Sequence, residues 1–189
     1  MKWFKAVMAV LFMSLFLANA CAPAFADDGY VGSKPDDGIF VTQTQNRTCT
    51  LISATMMIRN YSHRIGRGYD HITENAVRKT GWNSKGLSHR FSVDGISVAV
   101  NKDIKNESDK KAYLIKCLKN HPEGIVIYDT GAPHAIFLFG YDAEKDVFYC
   151  ADTISKNGGK AISLEESIIK GGSQQAQIDT IDRIWHIVG

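Results

Sequence analysis

The hydrophobic pattern of this chain changes period once, and that change limits what it can fold into. From Cys49 to Asn60, the residues Leu51, Ile52, Ala54, Met56, Met57 and Ile58 leave almost no polar face, with only the small Ser53 and Thr55 among them. Such a stretch reads as a helix buried on most sides. Beyond Gly124 the period becomes two: residues 125–128, 134–141 and 147–152 are short apolar runs separated by Asp-Thr-Gly-Ala-Pro and Asp-Ala-Glu-Lys-Asp turns. They predict an antiparallel meander. Helices come first and sheet second, an α+β order without the βαβ alternation of a doubly wound fold.

The remaining elements fit around these two. A second helix is expected over residues 72–79, ending at Gly81, whereas residues 82–102 fit helix and strand equally. Ser108 is placed to cap a helix over residues 109–120, with Leu114, Ile115 and Leu118 on one side and Lys110, Lys111 and Lys119 on the other. Ser163 and Glu166 form a capping box for a short helix ending at Gly171, and residues 181–188 supply a last strand. Before the buried helix, residues 27–38 read as an irregular arm and residues 39–42 as a short extended piece.

The first 26 residues read as an address. Lys2 and Lys5 form a positive start, residues 6–18 are apolar apart from Ser14, and Ala24-Phe25-Ala26 is a cleavage pattern before Asp27. The apolar run falls short of the roughly 20 residues a spanning helix needs, so no permanent membrane span is expected after cleavage. A lipid anchor on Cys21 is the alternative, disfavoured because no aliphatic residue stands in Ala18-Asn19-Ala20. Cleavage after Ala26 predicts a secreted or cell-envelope protein with one domain over residues 39–189. Lys2 and Lys5 are the only charged residues of the address, so the remaining 163 residues carry 20 of each sign. That balance argues against a nucleic-acid partner held by bulk basic charge. A hydrophobic share of 44% with only 4 prolines likewise argues against disorder.

Removing Cys21 leaves Cys49, Cys117 and Cys150, an odd count for an exported chain. Cys117 could pair with Cys150, which would single out Cys49. At the start of a buried helix the Cys49 sulfur meets the positive end of the helix dipole, which favours the nucleophilic thiolate. The thiolate then needs an imidazole to carry protons and a group to orient that imidazole. His134 and Asp152 share a sheet face if the turn centres near Ala143, facing each other directly, or diagonally if both strands shift by a step. Asp129 and Asp142 compete as strand-end acids without that parity. Gln43, six residues before Cys49, is a candidate donor to an oxyanion, together with the Cys49 N–H. Gln45 competes but lies too close to the helix start to fold back over the sulfur.

These residues carry a resemblance. Gln43-x5-Cys49 at the start of a buried helix, then His134-Ala-Ile-Phe-Leu-Phe-Gly-Tyr-Asp142 and Val147-Phe-Tyr-Cys-Ala-Asp152, resembles the papain-like cysteine peptidases of the double-glycine leader peptidase type, peptidase family thirty-nine, and their secreted relatives. The resemblance implies a papain-like fold with the nucleophile at the start of a buried helix packed on a C-terminal antiparallel sheet. It also implies Cys49 as nucleophile, His134 as general base, Asp152 as the residue orienting it and Gln43 at the oxyanion hole, acting on a peptide or protein substrate without a cofactor. Two departures stand out: Thr48-Cys49-Thr50 replaces the family's common Asp-Cys-Gly, and Asp152-Thr153 replaces Asp-Pro. The best-known members are cytosolic domains fused to an exporter, so leader processing during export is not expected of a chain with its own address.

The expected function is therefore a secreted cysteine peptidase. The alternatives are an exported non-catalytic binding or inhibitory protein on a degenerate papain-like scaffold, and a cell-wall peptide amidase or transpeptidase. His63, His71, His89, His121 and His186 show no metal-ligand spacing, so no metal is expected. Trp82 and Trp185 read as core aromatics.

Overall fold

Cys49–Arg64 is a 16-residue helix (α1) in which twelve residues are buried, as its unbroken apolar face requires. The computed structural model describes residues 29–154 and 159–188, so the expected address, residues 1–26, lies outside the described residues. Met56, Met57 and Ile58 are completely covered. Truncating such a side chain to Ala costs about 2–5 kcal/mol, so α1 is a core element and not a surface helix.

Three further helices are described: α2 (Glu74–Gly81), α3 (Lys110–Asn120) and α4 (Gln174–Thr180). Thr73 caps α2 by accepting the Ala76 N–H at 3.2 Å. At α3 the cap is Asp109, whose Oδ1 accepts the Ala112 N–H at 2.9 Å, and not Ser108, because a carboxylate is the stronger partner for orphan amides. The Ser163–Glu166 capping box forms, but the turn it starts is only a three-residue 3-10 helix, Leu164–Glu166. The helix expected to run on to Gly171 is absent, and α4 follows, capped by Ser173.

The strands are β1 (Tyr30–Gly32), β2 (Trp82–Asn83), β3 (Gly86–Leu87), β4 (Arg90–Val93), β5 (Ile96–Asn101), β6 (Ile125–Asp129), β7 (His134–Asp142), β8 (Val147–Ala151), β9 (Ile162–Ser163) and β10 (Arg183–Val188). The main sheet runs β4-β5-β10-β6-β7-β8-β9, antiparallel throughout, and β2 and β3 form a separate hairpin. The meander over 125–152 is β6, β7 and β8, as its period predicts. The open stretch 82–102 resolves into strands: Asp94 and Gly95 both take positive φ, 52° and 76°, the two-residue turn that joins twisted antiparallel strands.

The chain is a mixed α+β protein with four helices and an antiparallel sheet, but helices and strands interleave instead of following one another. Nor is the arm over 27–38 wholly irregular. β1 pairs with Gly140–Asp142 of β7, which places residues 30–32 inside the folded unit that was expected to begin at residue 39. Its contact is close, since a side chain on Gly32 (φ 99°) would lie 2.2 Å from the Phe139 carbonyl oxygen.

The sheet has an apolar layer on each side. Ala135, Phe137 and Phe139 of β7 pack in the cluster with α1, whereas Ile136, Leu138 and Tyr141 pack in the cluster with α3 and α4. The alternation slips between Phe139 and Tyr141, where the β7–β8 register breaks in a bulge. The three cysteines among the described residues, Cys49, Cys117 and Cys150, are free: Cys117 and Cys150 are both buried in the α3 layer and do not pair.

Candidate active site

Cys49 is the first residue of α1, at the end where helix amides have no partners within the helix. The preceding Thr48 does not use its hydroxyl as a cap; Thr48 Oγ1 donates to the Gln45 carbonyl at 2.9 Å. The backbone N–H of Thr50 is therefore free to point at the Cys49 sulfur, and it does so together with the N–H of Ala135 on β7. Ser53, one turn along α1, donates to the Ala135 carbonyl at 3.4 Å and ties that strand to the helix.

Those anchors bring the start of β7 against the start of α1. His134 follows the Gly131-Ala132-Pro133 turn, is 5% exposed and hydrogen-bonds Cys49. Its Nε2 lies 3.0 Å from Asp152 Oδ1, which leaves Nδ1 as the ring nitrogen for the sulfur. Asp152, at the end of β8, is fully buried and wholly satisfied. Oδ1 also accepts the Ile154 N–H at 3.2 Å and Oδ2 accepts the Ile168 N–H at 2.8 Å. Two amides and one imidazole thus fix the carboxylate, and the carboxylate fixes the imidazole.

The electrostatics follow from the contacts. Burial is the largest influence on Cys49 and opposes ionisation, but the His134 hydrogen bond and charge, with the Ala135 and Thr50 amides, outweigh it and lower the thiol pKa. Burial likewise works against a charged His134, yet its bonds and charge interactions with Asp152 and Cys49 raise its pKa to about 9. At Asp152 burial is again overcome, by His134 and the two amides, and the carboxyl stays below its usual range. All three shifts run in the direction that favours a thiolate, an imidazolium and a carboxylate. Such an assembly can attack a carbonyl carbon and return a proton to a leaving group.

Gln43 is held elsewhere. Its described hydrogen bonds both run to Thr153: its N–H donates to the Thr153 carbonyl at 3.5 Å and its Oε1 accepts from Thr153 Oγ1 at 3.2 Å. The structure joins Gln43 to the Asp152 corner and leaves its amide nitrogen as the remaining donor; it gives Gln43 no described contact with Cys49. The competitors have other work. Gln45 Oε1 accepts from Arg78, Asp129 Oδ1 accepts the Gly131 and Ala132 amides, and Asp142 closes the β7–β8 turn with Lys145.

Cys49 opens onto a cleft of about 840 Å³ whose walls include Trp82, Lys85, Tyr128, Arg183 and Trp185. Arg47, two residues before Cys49, stands at the same cleft. None of these wall residues was singled out as functional from sequence, and Trp82 is half-buried in the cleft wall, not in the core as expected. The Asn83-Ser84-Lys85-Gly86 turn was the available signal: Asn83 Oδ1 accepts the Lys85 N–H at 2.8 Å, an Asx turn that closes the β2–β3 hairpin. Among the described residues no group of three or more His, Cys, Asp or Glu side chains could hold a metal, and no helix is long and apolar enough to cross a membrane. Comparisons with family models, curated protein sequences and solved structures found no match.

Proposed function

We propose that this chain is an exported cysteine peptidase on a papain-like scaffold, with Cys49 as nucleophile, His134 as proton carrier, Asp152 as its orienting residue and Gln43 as an oxyanion donor. The observation that carries the reading is the convergence of Cys49, His134 and Asp152, from the start of α1, the start of β7 and the residue after β8, with Cys49 on the wall of a cleft. The thiolate adds to the peptide carbonyl carbon, and the carbonyl π electrons move onto oxygen, which accepts hydrogen bonds from the Cys49 N–H and the Gln43 amide. Collapse breaks the C–N bond as His134 gives its proton to the leaving amine. Water then adds to the thioester, losing a proton to His134, and the thiolate leaves. A peptide bond in a cell-wall substrate would be split by the same steps.

Thr50 favours the second reading, a binding protein without turnover, because it lines the cleft next to Cys49 where the peptidases this chain resembles commonly carry the smaller Gly. An epoxide-type thiol inhibitor separates the two. Covalent labelling of Cys49 that is lost in His134→Ala, together with peptide hydrolysis lost in Cys49→Ala, supports the enzyme. Intact folding with neither labelling nor hydrolysis refutes it.

A further inference from the structure

The cleft that serves Cys49 is one-sided in charge. Arg47, Lys85, His89 and Arg183 line it, and no Asp or Glu does, although the chain beyond its address has equal numbers of acids and bases. Arg183 is fixed: Nε lies 3.1 Å from Asp182 Oδ1, Nη2 lies 3.0 Å from Thr130 Oγ1, and the guanidinium sits 5.2 Å from the centre of the Tyr128 ring. Asp182 offsets part of that charge, so the excess rests on the other groups. Arg47 and Lys85 are exposed and have no acidic partner among the described residues.

Arg47 also takes a φ of 65°, a left-handed backbone that a long side chain rarely adopts. Strain of this kind persists only where the surroundings impose it, and here it holds a guanidinium beside the cleft two residues from the sulfur. Lys85 lines the cleft from a different element, the β2–β3 turn pinned by Asn83. Trp82, half-buried, and the nearly covered Trp185 line the same cleft. Charges of one sign in a low-dielectric cleft concentrate ligands of the other sign.

We propose that the cleft selects peptide segments bearing carboxylates close to the bond presented to Cys49, with Arg47 and Lys85 as specificity-determining residues. The proposal rests on the peptidase reading of the same site. Its test measures binding apart from hydrolysis, using the full chain with Cys49→Ala and short peptide mixtures rich in Glu, Gln or Lys, each with a free or an amidated C-terminus. Glu-rich peptides are expected to bind about tenfold or more tightly than their Gln counterparts. The advantage shrinks in 1 M salt, where the screening length is about 3 Å. Arg47→Gly combined with Lys85→Gln abolishes the advantage, and glycine suits the positive φ, so that variant keeps its fold by circular dichroism. Lys119→Gln, in the α3 layer, leaves the advantage in place.

A preference retained by amidated peptides assigns the carboxylate to Asp or Glu side chains; one lost on amidation assigns it to a chain terminus. Equal affinity for Glu and Gln peptides, no binding at all, or a preference undiminished in the double variant overturns the proposal. Hydrolysis by the unaltered protein is followed in parallel. Acid-selective binding without cleavage keeps the proposal and removes the peptidase reading, whereas cleavage without charge preference does the reverse.

Discussion

His134 Nε2 and Asp152 Oδ1 lie 3.0 Å apart although the two residues do not face each other in their hairpin. Phe137 pairs with Ala151, so continuing that register sets Asp152 opposite Ile136 and leaves His134 one diagonal step away. Direct opposition would need the turn to centre near Ala143; it centres later, with Asp142 paired to Val147. That pairing has the wrong parity for the contact, and the bulge at Phe139 restores it. Diagonal neighbours on one face stand about 7–8 Å apart at Cα, a gap that an imidazole and a carboxylate span.

The contact predicts the effect of Asp152→Asn. Asn keeps an acceptor for a backbone amide but no longer stabilises the imidazolium, so turnover should fall about 10²- to 10⁴-fold. Steady-state kinetics on any cleaved peptide measure this. Turnover within about threefold of the unaltered protein would remove Asp152 from the mechanism.

Gln43 makes a separable prediction. A donor to the oxyanion acts only after the thiolate has added to a carbonyl, so Gln43→Ala should cost about 10²- to 10³-fold in kcat. Alkylation of Cys49 by a small haloacetamide forms no oxyanion and should proceed at its original rate. A loss of both would mean that Gln43 holds the Asp152–Thr153 corner in place and does nothing else.

The three thiols should differ sharply in reactivity. Burial pushes Cys117 up to about 11, and Cys150, fully enclosed with Asp152 and Glu166 nearby, is raised well above the ordinary value. Among these three, only Cys49 is expected to carry an adduct by mass spectrometry of the folded protein treated with iodoacetamide, with Cys117 and Cys150 reacting only after unfolding. Modification of either in the native state would contradict their burial.

Acid should expose the contribution of Asp152 to stability. Its pKa is lower folded than unfolded, so its contribution is complete above the unfolded value of about 4 and is lost as pH falls through the folded one. Melting temperatures measured from pH 6 to pH 2 should fall more steeply for the unaltered protein than for Asp152→Asn below about pH 4. The other depressed carboxyls, Asp94, Asp142, Asp146 and Glu166, are common to both proteins and cancel in the difference. Parallel curves would show that Asp152 is not ionised in the folded state.

The legible parts of this molecule are those where a local pattern has one structural solution. The apolar run after Cys49 can only be a buried helix. The shared face of His134 and Asp152 is expected from their even separation, but the turn alone would put them on opposite faces and only the bulge at Phe139, which no local pattern signals, brings them back. The strand Tyr30–Gly32 was illegible because its three residues have no period of their own; its partner lies about 110 residues away and only the folded sheet supplies it. The helix Gln174–Thr180 was hidden because its buried face includes a polar residue, Gln177, which is 2% exposed and donates to the Ile169 carbonyl. The strands over 90–101 could have been read from Asp94-Gly95 between Phe91, Val93 and Ile96, Val98. The cleft's charge was invisible for another reason: Arg47, Lys85 and Arg183 are scattered along the chain and meet only in the fold.

The central claim, a thiolate held by His134, is tested most directly by the rate of Cys49 alkylation measured against pH. The account predicts an inflection clearly below the ordinary thiol value of about 8.5, moved upward in His134→Ala. An inflection at or above about 8.5 in the unaltered protein, or one that His134→Ala leaves in place, would contradict it.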